Sequence, residues 1–239
     1  MNARVVCQTR VELGLALMDM GAVLTYESNH PLVVTRQGPN GVERGFKLKL
    51  HEKNPDAPLS PVYFNLRTPD NPKPGPLTPE IMYLVADCMH DRIRELGLTF
   101  TAIAGVPRAG DPIALALSQF YGMPLITLGK QEENGKRRIA PPEEGFSPDL
   151  KSVLLVDDLI TRADSKREAI EVIRNGGIGV VDVIVILDRE QGGAAELADL
   201  KCKLHALFTI NELLNLYVAA DKMKRETRSR IREYLASQS

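Results

Sequence analysis

Cysteine and histidine are scarce, long apolar runs are absent, and neither sign of charge prevails. Each shortage removes a class of protein. The three cysteines, Cys7, Cys88 and Cys202, are odd in number and far apart, which fits neither a disulfide framework nor a zinc spacing. The four histidines, His30, His51, His90 and His205, show no metal-ligand spacing, and no Ser-His-Asp or Cys-His set stands out. Lys plus Arg number 30 against 31 Asp plus Glu, a net charge of -1, so a chain-wide basic surface for nucleic acid is excluded. No apolar run approaches the roughly 18–20 residues of a membrane span. The first residues carry Glu12 and Asp19 and no cleavage-like site, so no signal peptide is expected. There is no internal repeat and no long low-complexity segment. The expectation is a cytoplasmic protein with neither a membrane nor a nucleic-acid partner.

What is there is a core. Of 239 residues, 44% are apolar and 26% charged, enough for one α/β domain with a small appendage. Residues 8–20 read as a helix with Val11, Leu15 and Met18 on one face. Segments 31–36 and 45–50 read as strands around the turn signal GPNG at 38–41. Residues 53–61 and 68–79 are rich in Pro, Asp and Asn and read as loops, with the short strand candidate PVYFNLR between them. Thr78-Pro79-Glu80 starts a helix, with a cap, a proline in the first turn and an acid behind it, and Gly97 ends it after Leu96. From there strands and helices alternate. Segments 101–106, 124–128, 152–156, 180–187 and 204–208 are short apolar strands. Segments 111–121 and 163–175 are helices, the second stopped by Gly176-Gly177.

Nearly continuous apolar strands between helices indicate a mostly parallel central sheet with helices on both faces. Such sheets bind ligands beyond the carboxyl ends of their strands, so the loops after residues 106, 128, 156 and 187 are the places to look. After Val156 come two adjacent acids, Asp157 and Asp158. Paired carboxylates are costly to bury alone, and they tend to face a cation, several hydroxyls or a helix N-terminus. From the pair alone, a turn cap beside a solvated acid fits equally well.

The run VLLVDDLITRADSKREAIEVIRNGG, followed by VIVILDREQGG, resembles the type I phosphoribosyltransferases, and within them the orotate phosphoribosyltransferases. The resemblance implies that Asp157 and Asp158 hold the ribose hydroxyls of phosphoribosyl pyrophosphate. It implies that Thr161, Arg162, Ala163, Asp164 and Ser165 wrap its 5′-phosphate at a helix start. This loop departs from the family pattern: Ala163 stands where glycine is usual and Asp164 where a hydroxyl is usual, a charge that Arg162 or Lys166 would offset. IAGVPRAGDPIALALS resembles the family's pyrophosphate loop, with Gly105 and Gly110 as its small residues and Arg108 supplying charge. Arg189 of the LDR motif takes the role of a planar partner for a planar acid.

Residues 129–148 form a long polar stretch in which, over 129–138, four cations outnumber two acids. The plain reading is a flexible connection. The resemblance implies a mobile catalytic loop carrying Lys130 and Lys136 to a neighbouring subunit's pyrophosphate. Further upstream, Phe46, Lys49, Ser60, Pro61 and Tyr63 match the family's F-x-L-K and S-P-x-Y segments, which implies a role for Lys49 at the substrate and for Tyr63 and Phe64 over the base.

The expected organisation is an N-terminal helix, hairpin and hood at 1–77, a core at 78–217 and a basic C-terminal helix at 218–239. Residues 221–234 hold six Lys or Arg against three acids, read as a solvated or dimer-contacting face. The implied reaction joins orotate to phosphoribosyl pyrophosphate, giving orotidine 5′-monophosphate and pyrophosphate. Mg²⁺ would be bound mainly through the substrate, with no protein residues assigned to it. The implied assembly is a homodimer with shared active sites. Lys130, Asp157, Asp158 and Arg108 are the candidate catalytic residues. A non-catalytic nucleotide- or effector-binding regulator on the same fold, or a transferase for another base, stays open at this point.

Overall fold

Five apolar segments pair side by side and in one direction, giving a parallel sheet. The computed structural model describes residues 3–38, 41–133 and 135–238, and the side chains of all of these except 3–7, 133 and 136. In chain order the elements begin with α1 (Ala3–Asp19), β1 (Val23–Thr25), β2 (Val33–Gly38), β3 (Gly41–Phe46), β4 (Val62–Phe64) and α2 (Pro79–Leu96). Then come β5 (Ala102–Gly105), α3 (Asp111–Tyr121), β6 (Leu125–Ile126), β7 (Gly129–Glu133), β8 (Lys136–Ala140) and β9 (Ser152–Ile160). The chain continues with α4 (Asp164–Asn175), β10 (Gly179–Asp188), α5 (Gly193–Asp199), β11 (Lys203–Thr209), α6 (Ile210–Ala219) and α7 (Arg225–Ala236). No helix among the described residues is long and apolar enough to cross a membrane.

The chain divides into two compact units. The first comprises Leu66–Ile210 with the N-terminal residues up to Leu13. Its sheet has the order β11-β10-β9-β5-β6, all parallel and flanked by helices. Side chains alternate across a strand. On β9, Val153 and Leu155 pack into one apolar layer with Ala169, Ile170 and Ile173 of α4. Leu154 and Val156 point the other way and are equally buried. Both faces are therefore covered, which explains the unbroken apolar runs. Helix α2 starts on Thr78, whose hydroxyl accepts the Ile81 N–H at 3.5 Å, and stops at Gly97 with φ 64°.

The second unit comprises Gly14–Asn65 and Asn211–Ser239. It holds two antiparallel pairs, β1 with β4 and β2 with β3. The C-terminal segment is tied to the N-terminal one: Lys224 Nζ donates to Glu27 at 2.7 Å, Lys222 pairs with Asp19, and Thr227 donates its hydroxyl to Glu27. Arg230 lies 4.1 Å over the Tyr26 ring.

Several expectations need correction. The buried face of α1 is Leu13 and Leu17, one turn apart, while Val11 is exposed. The strand expected over 45–50 ends at Phe46, and Lys49–Glu52 forms a 3₁₀ turn whose backbone is bridged by the His51 ring. Pro39 and Asn40 of the turn signal lie outside the described residues. The polar stretch 129–148 is not one irregular loop: β7 and β8 pair as a hairpin from Gly129↔Ala140 to Glu133↔Lys136. The strand expected over 152–156 runs on to Ile160, because Leu159 and Ile160 keep their pairing with Leu187 and Asp188 of β10. Helices α5 and α6 were not foreseen, and the basic C-terminal helix begins only at Arg225.

Candidate active site

The carboxyl ends of β5 and β9 open into a polar cleft of about 730 Å³ in the first unit. Asp157 and Asp158 are part of its wall. They sit within β9 rather than beyond it, so they point to opposite faces of the sheet. Asp157 shares the α4 face and meets Lys166, in the first turn of that helix, in a buried ion pair. Its other oxygen, Oδ1, accepts the Asp158 N–H at 2.9 Å. Lys166 also donates to the Leu159 carbonyl at 2.6 Å. Asp158 accepts the Leu159 N–H at 2.7 Å. Burial, and next the Asp157 charge, push its carboxyl up to about 7, against the smaller opposing pulls of Lys166 and Arg67.

The loop after β5 supplies Arg108 and Ala109 to the cleft. It folds tightly on itself: Val106 N–H donates to Val156 O at 2.8 Å and Gly110 N–H to Val106 O at 2.9 Å. Gly105 and Gly110 do not line the cleft. A Cβ on Gly110 would lie 2.3 Å from Val156 O, and one on Gly105 2.6 Å from Asp111 N. Both glycines are therefore needed for backbone packing behind the wall. Burial raises Asp111, at the start of α3, to about 6, although Arg108 pulls it down.

The β7–β8 hairpin adds Lys130, Gln131, Glu132 and Arg137 to the cleft of its own chain. Burial lowers Lys130, and the Arg108 charge lowers it further. The hairpin is pinned to α4 by Glu168, which accepts the Ile139 N–H at 3.0 Å. Lys136 opens β8, and its side chain lies outside the described residues.

Of residues 161–165, expected to wrap the 5′-phosphate, Thr161, Arg162 and Ser165 line the cleft, whereas Ala163 and Asp164 do not. Ala163 is fully buried. Its N–H is taken by Glu196 of α5 at 2.7 Å, and the other Glu196 oxygen lies 3.3 Å from Arg162 Nη1. The offset expected for Asp164 is thus drawn elsewhere: Arg162 turns to Glu196 and Lys166 to Asp157. Arg189 donates to Thr161 Oγ1 at 3.2 Å, bracing this loop. Lys49, Tyr63 and Phe64 belong to the second unit. There Phe64 is buried in β4, Tyr63 stacks on Phe46 with centroids 5.5 Å apart, and Lys49 is exposed.

Sequence reasoning missed Arg67, Asn71 and Lys73, which also line the cleft. They come from the Pro-rich stretch before α2, folded back where Asn71 and Gly75 N–H groups donate to Thr68 O at 3.2 and 3.1 Å. The only signals available were two cations, Arg67 at the end of the strand candidate PVYFNLR and Lys73 in the stretch read as a loop. Among the described residues, no three His, Cys, Asp or Glu side chains gather as a metal cage. The arrangement sets two carboxylates against a ring of cations, a pattern suited to a ligand that carries hydroxyls at one point and several phosphates around it.

Comparison with known proteins points the same way. Residues 77–212 match the phosphoribosyl transferase domain. The orotate phosphoribosyltransferase of Caenorhabditis elegans is 30% identical over 179 residues, 74% of this chain and 75% of that protein. The orotate phosphoribosyltransferase of Saccharolobus solfataricus is 32% identical over 180 residues, 74% of this chain and 85% of that one. Among solved structures, the UMP synthase of Leishmania donovani superposes with a TM-score of 0.68 at 28% identity, covering 95% of this chain and 42% of that longer one. The orotate phosphoribosyltransferase of Aeropyrum pernix, at 21% identity and a TM-score of 0.59 over 89% of this chain and 99% of that one, shares the fold. The chain belongs to the type I phosphoribosyltransferase family, and within it is similar to the orotate phosphoribosyltransferases.

Proposed function

We propose that the chain is an orotate phosphoribosyltransferase, transferring the phosphoribosyl group of phosphoribosyl pyrophosphate to orotate with release of pyrophosphate. The observation that carries this reading is the joining of Asp157 and Asp158 with Arg108 and Lys130 in one cleft. Asp157 and Asp158 take the ribose hydroxyls, Thr161, Arg162 and Ser165 face the 5′-phosphate, and Arg108, Lys130 and Arg137 face the pyrophosphate. Arg189 keeps the role of orotate partner that the resemblance implies, and its bond to Thr161 ties that role to the phosphate loop.

The bond from C1 of the ribose to pyrophosphate breaks as orotate nitrogen attacks, through a transition state with oxocarbenium character. No protein nucleophile is required. The chain contributes orientation of the two substrates and cations placed where negative charge grows on the leaving pyrophosphate. The cleft's own donor set fits Mg²⁺ held chiefly by substrate oxygens, since one of its two wall aspartates already faces an ammonium. When bound, the ion would supply further neutralisation of the pyrophosphate. We read the protein as a cytoplasmic homodimer. The residues Lys130 and Arg137 line the cleft of their own chain, so we assign them to that cleft.

The test is loss of orotate on addition of Mg²⁺ and phosphoribosyl pyrophosphate, run beside uracil and purine bases. Turnover of orotate is expected. Turnover of another base in its place would reassign the substrate. Calorimetric binding of phosphoribosyl pyrophosphate without turnover of any base would favour an effector-binding regulator, a reading to which the Glu196 contact on Ala163 lends some support.

A further inference from the structure

The family resemblance assigns Lys166 no contact with the substrate, yet among the described residues it is one of the most buried charged groups, at 4% exposure, and it lines the cleft. Its partner Asp157 is also 4% exposed. Both oxygens of Asp157 are engaged from within, one by Lys166 and one by the Asp158 N–H. The same aspartate is the one assigned to the ribose hydroxyls. The phosphate loop, meanwhile, has given the Ala163 N–H to Glu196, which also draws one nitrogen of the Arg162 guanidinium. Its helix also opens with an acid, Asp164. A phosphate arriving at Thr161 and Ser165 therefore needs a cation, and the ammonium in that turn of α4 is Lys166.

We propose that Lys166 is an exchangeable cation of the phosphoribosyl site, holding Asp157 in the free protein and passing to the 5′-phosphate when a phosphorylated pentose binds, which releases Asp157 to the ribose hydroxyls. This rests on the reading of the cleft as a phosphoribosyl site. The exchange moves the buried ammonium from one anion to another, and the cost of uncovering the Asp157 carboxylate is offset by the ribose hydroxyls that replace it. Lysine suits the step because its compact ammonium rides on a flexible four-carbon stem. Asp157, once released, keeps the Asp158 N–H and gains hydroxyl donors in place of the ammonium.

Calorimetry on the full chain tests it, with ribose 5-phosphate, inorganic phosphate and inorganic pyrophosphate as probes. Lys166→Met should weaken ribose 5-phosphate by about tenfold or more while leaving pyrophosphate within about twofold. Asp157→Asn removes the competitor for the ammonium, and should tighten inorganic phosphate by about threefold or more. A merely structural lysine would not give that gain. The double variant Asp157→Asn/Lys166→Met removes both members of the Asp157–Lys166 pair and should lack the gain. It decides the matter if Lys166→Met alone fails to fold. Unchanged ribose 5-phosphate affinity in a folded Lys166→Met, or no phosphate gain in Asp157→Asn, overturns the exchange. Failure of the unaltered chain to bind phosphoribosyl pyrophosphate would instead overturn the reading of the site.

Discussion

Glu196 Oε2 accepts the backbone N–H of Ala163 at 2.7 Å, so a carboxylate from α5 stands at the loop where a phosphate group is expected. The contact lowers the Glu196 carboxyl, chiefly through that N–H and then through Arg162. Glu196 thus fixes the loop and also withholds one of its donors.

Replacing Glu196 by alanine tests which effect wins. We expect fixing to dominate, because a loop without its brace must be ordered by the ligand. Glu196→Ala should raise the KM for phosphoribosyl pyrophosphate by about three- to tenfold, with kcat little changed. Steady-state kinetics read this directly. A lower KM would show that the carboxylate acts mainly as a competitor of phosphate.

Asp158 gives a pH signature. Its folded-state value near 7 lies above the ordinary 3.8. Between those values the folded chain keeps a proton that the unfolded chain has released, so stability falls as pH rises from about 4 to about 7 and then levels off. Asp158→Asn should lose this slope, matching the unaltered chain near pH 4 and exceeding its melting temperature by a few degrees near pH 8. Thermal melts across that range check it. The ionised form is also the better hydroxyl acceptor, so affinity for phosphoribosyl pyrophosphate should improve through pH 7 in the unaltered chain more than in Asp158→Asn.

In the proposed reaction Lys130 and Arg108, which line the cleft, would face charge that grows only as the reaction proceeds. Lys130→Ala or Arg108→Ala should lower kcat by about 100-fold, with a much smaller effect on the KM for orotate. Because burial and Arg108 lower Lys130, the alkaline fall in kcat should begin below the usual lysine range and move upward in Lys130→Arg.

Gly110→Ala should cost about 1–3 kcal/mol of stability, since its Cβ would press on Val156 O and Val106 N, which are backbone atoms with little room to yield. Urea unfolding measures it. Gly97→Ala tests a different cause, the left-handed φ of 64° alone, since a Cβ there meets nothing within 4 Å.

Glu168→Ala should loosen the β7–β8 hairpin, which keeps the packing of Ile139 against α4, and speed tryptic cleavage at Lys136, Arg137 and Arg138. Phosphoribosyl pyrophosphate with Mg²⁺ should slow that cleavage again, because Lys130 and Arg137 line the cleft.

The parts of the fold that could be read in advance carry local signals. Thr78-Pro79 and Gly97 bound α2 at the expected residues, and the strands β5, β9 and β10 announce themselves by apolar runs. The hairpin was hidden because its strands, GKQEE and KRRIA, are too highly charged to show an apolar face. Gly135, at φ 72°, was the overlooked turn signal. The extension of β9 through two acids was equally hidden, since it is fixed by pairing with β10 rather than by composition. In the site, Asp157, Asp158, Arg108, Thr161 and Lys130 were legible as motif positions. Arg67, Asn71 and Lys73 reach the cleft only through the folding of a proline-rich segment, and the capture of Ala163 by Glu196 joins residues 33 apart in sequence.

The ties from Lys222, Lys224 and Thr227 to Asp19 and Glu27 have a bearing on how the polypeptide matures. During synthesis, the whole of Leu66–Ile210 emerges before the segment 222–227 that latches Asp19 and Glu27. The unit that carries the cleft is complete while Gly14–Asn65 still waits for its clasp, so this earlier stretch stays exposed for longer during synthesis.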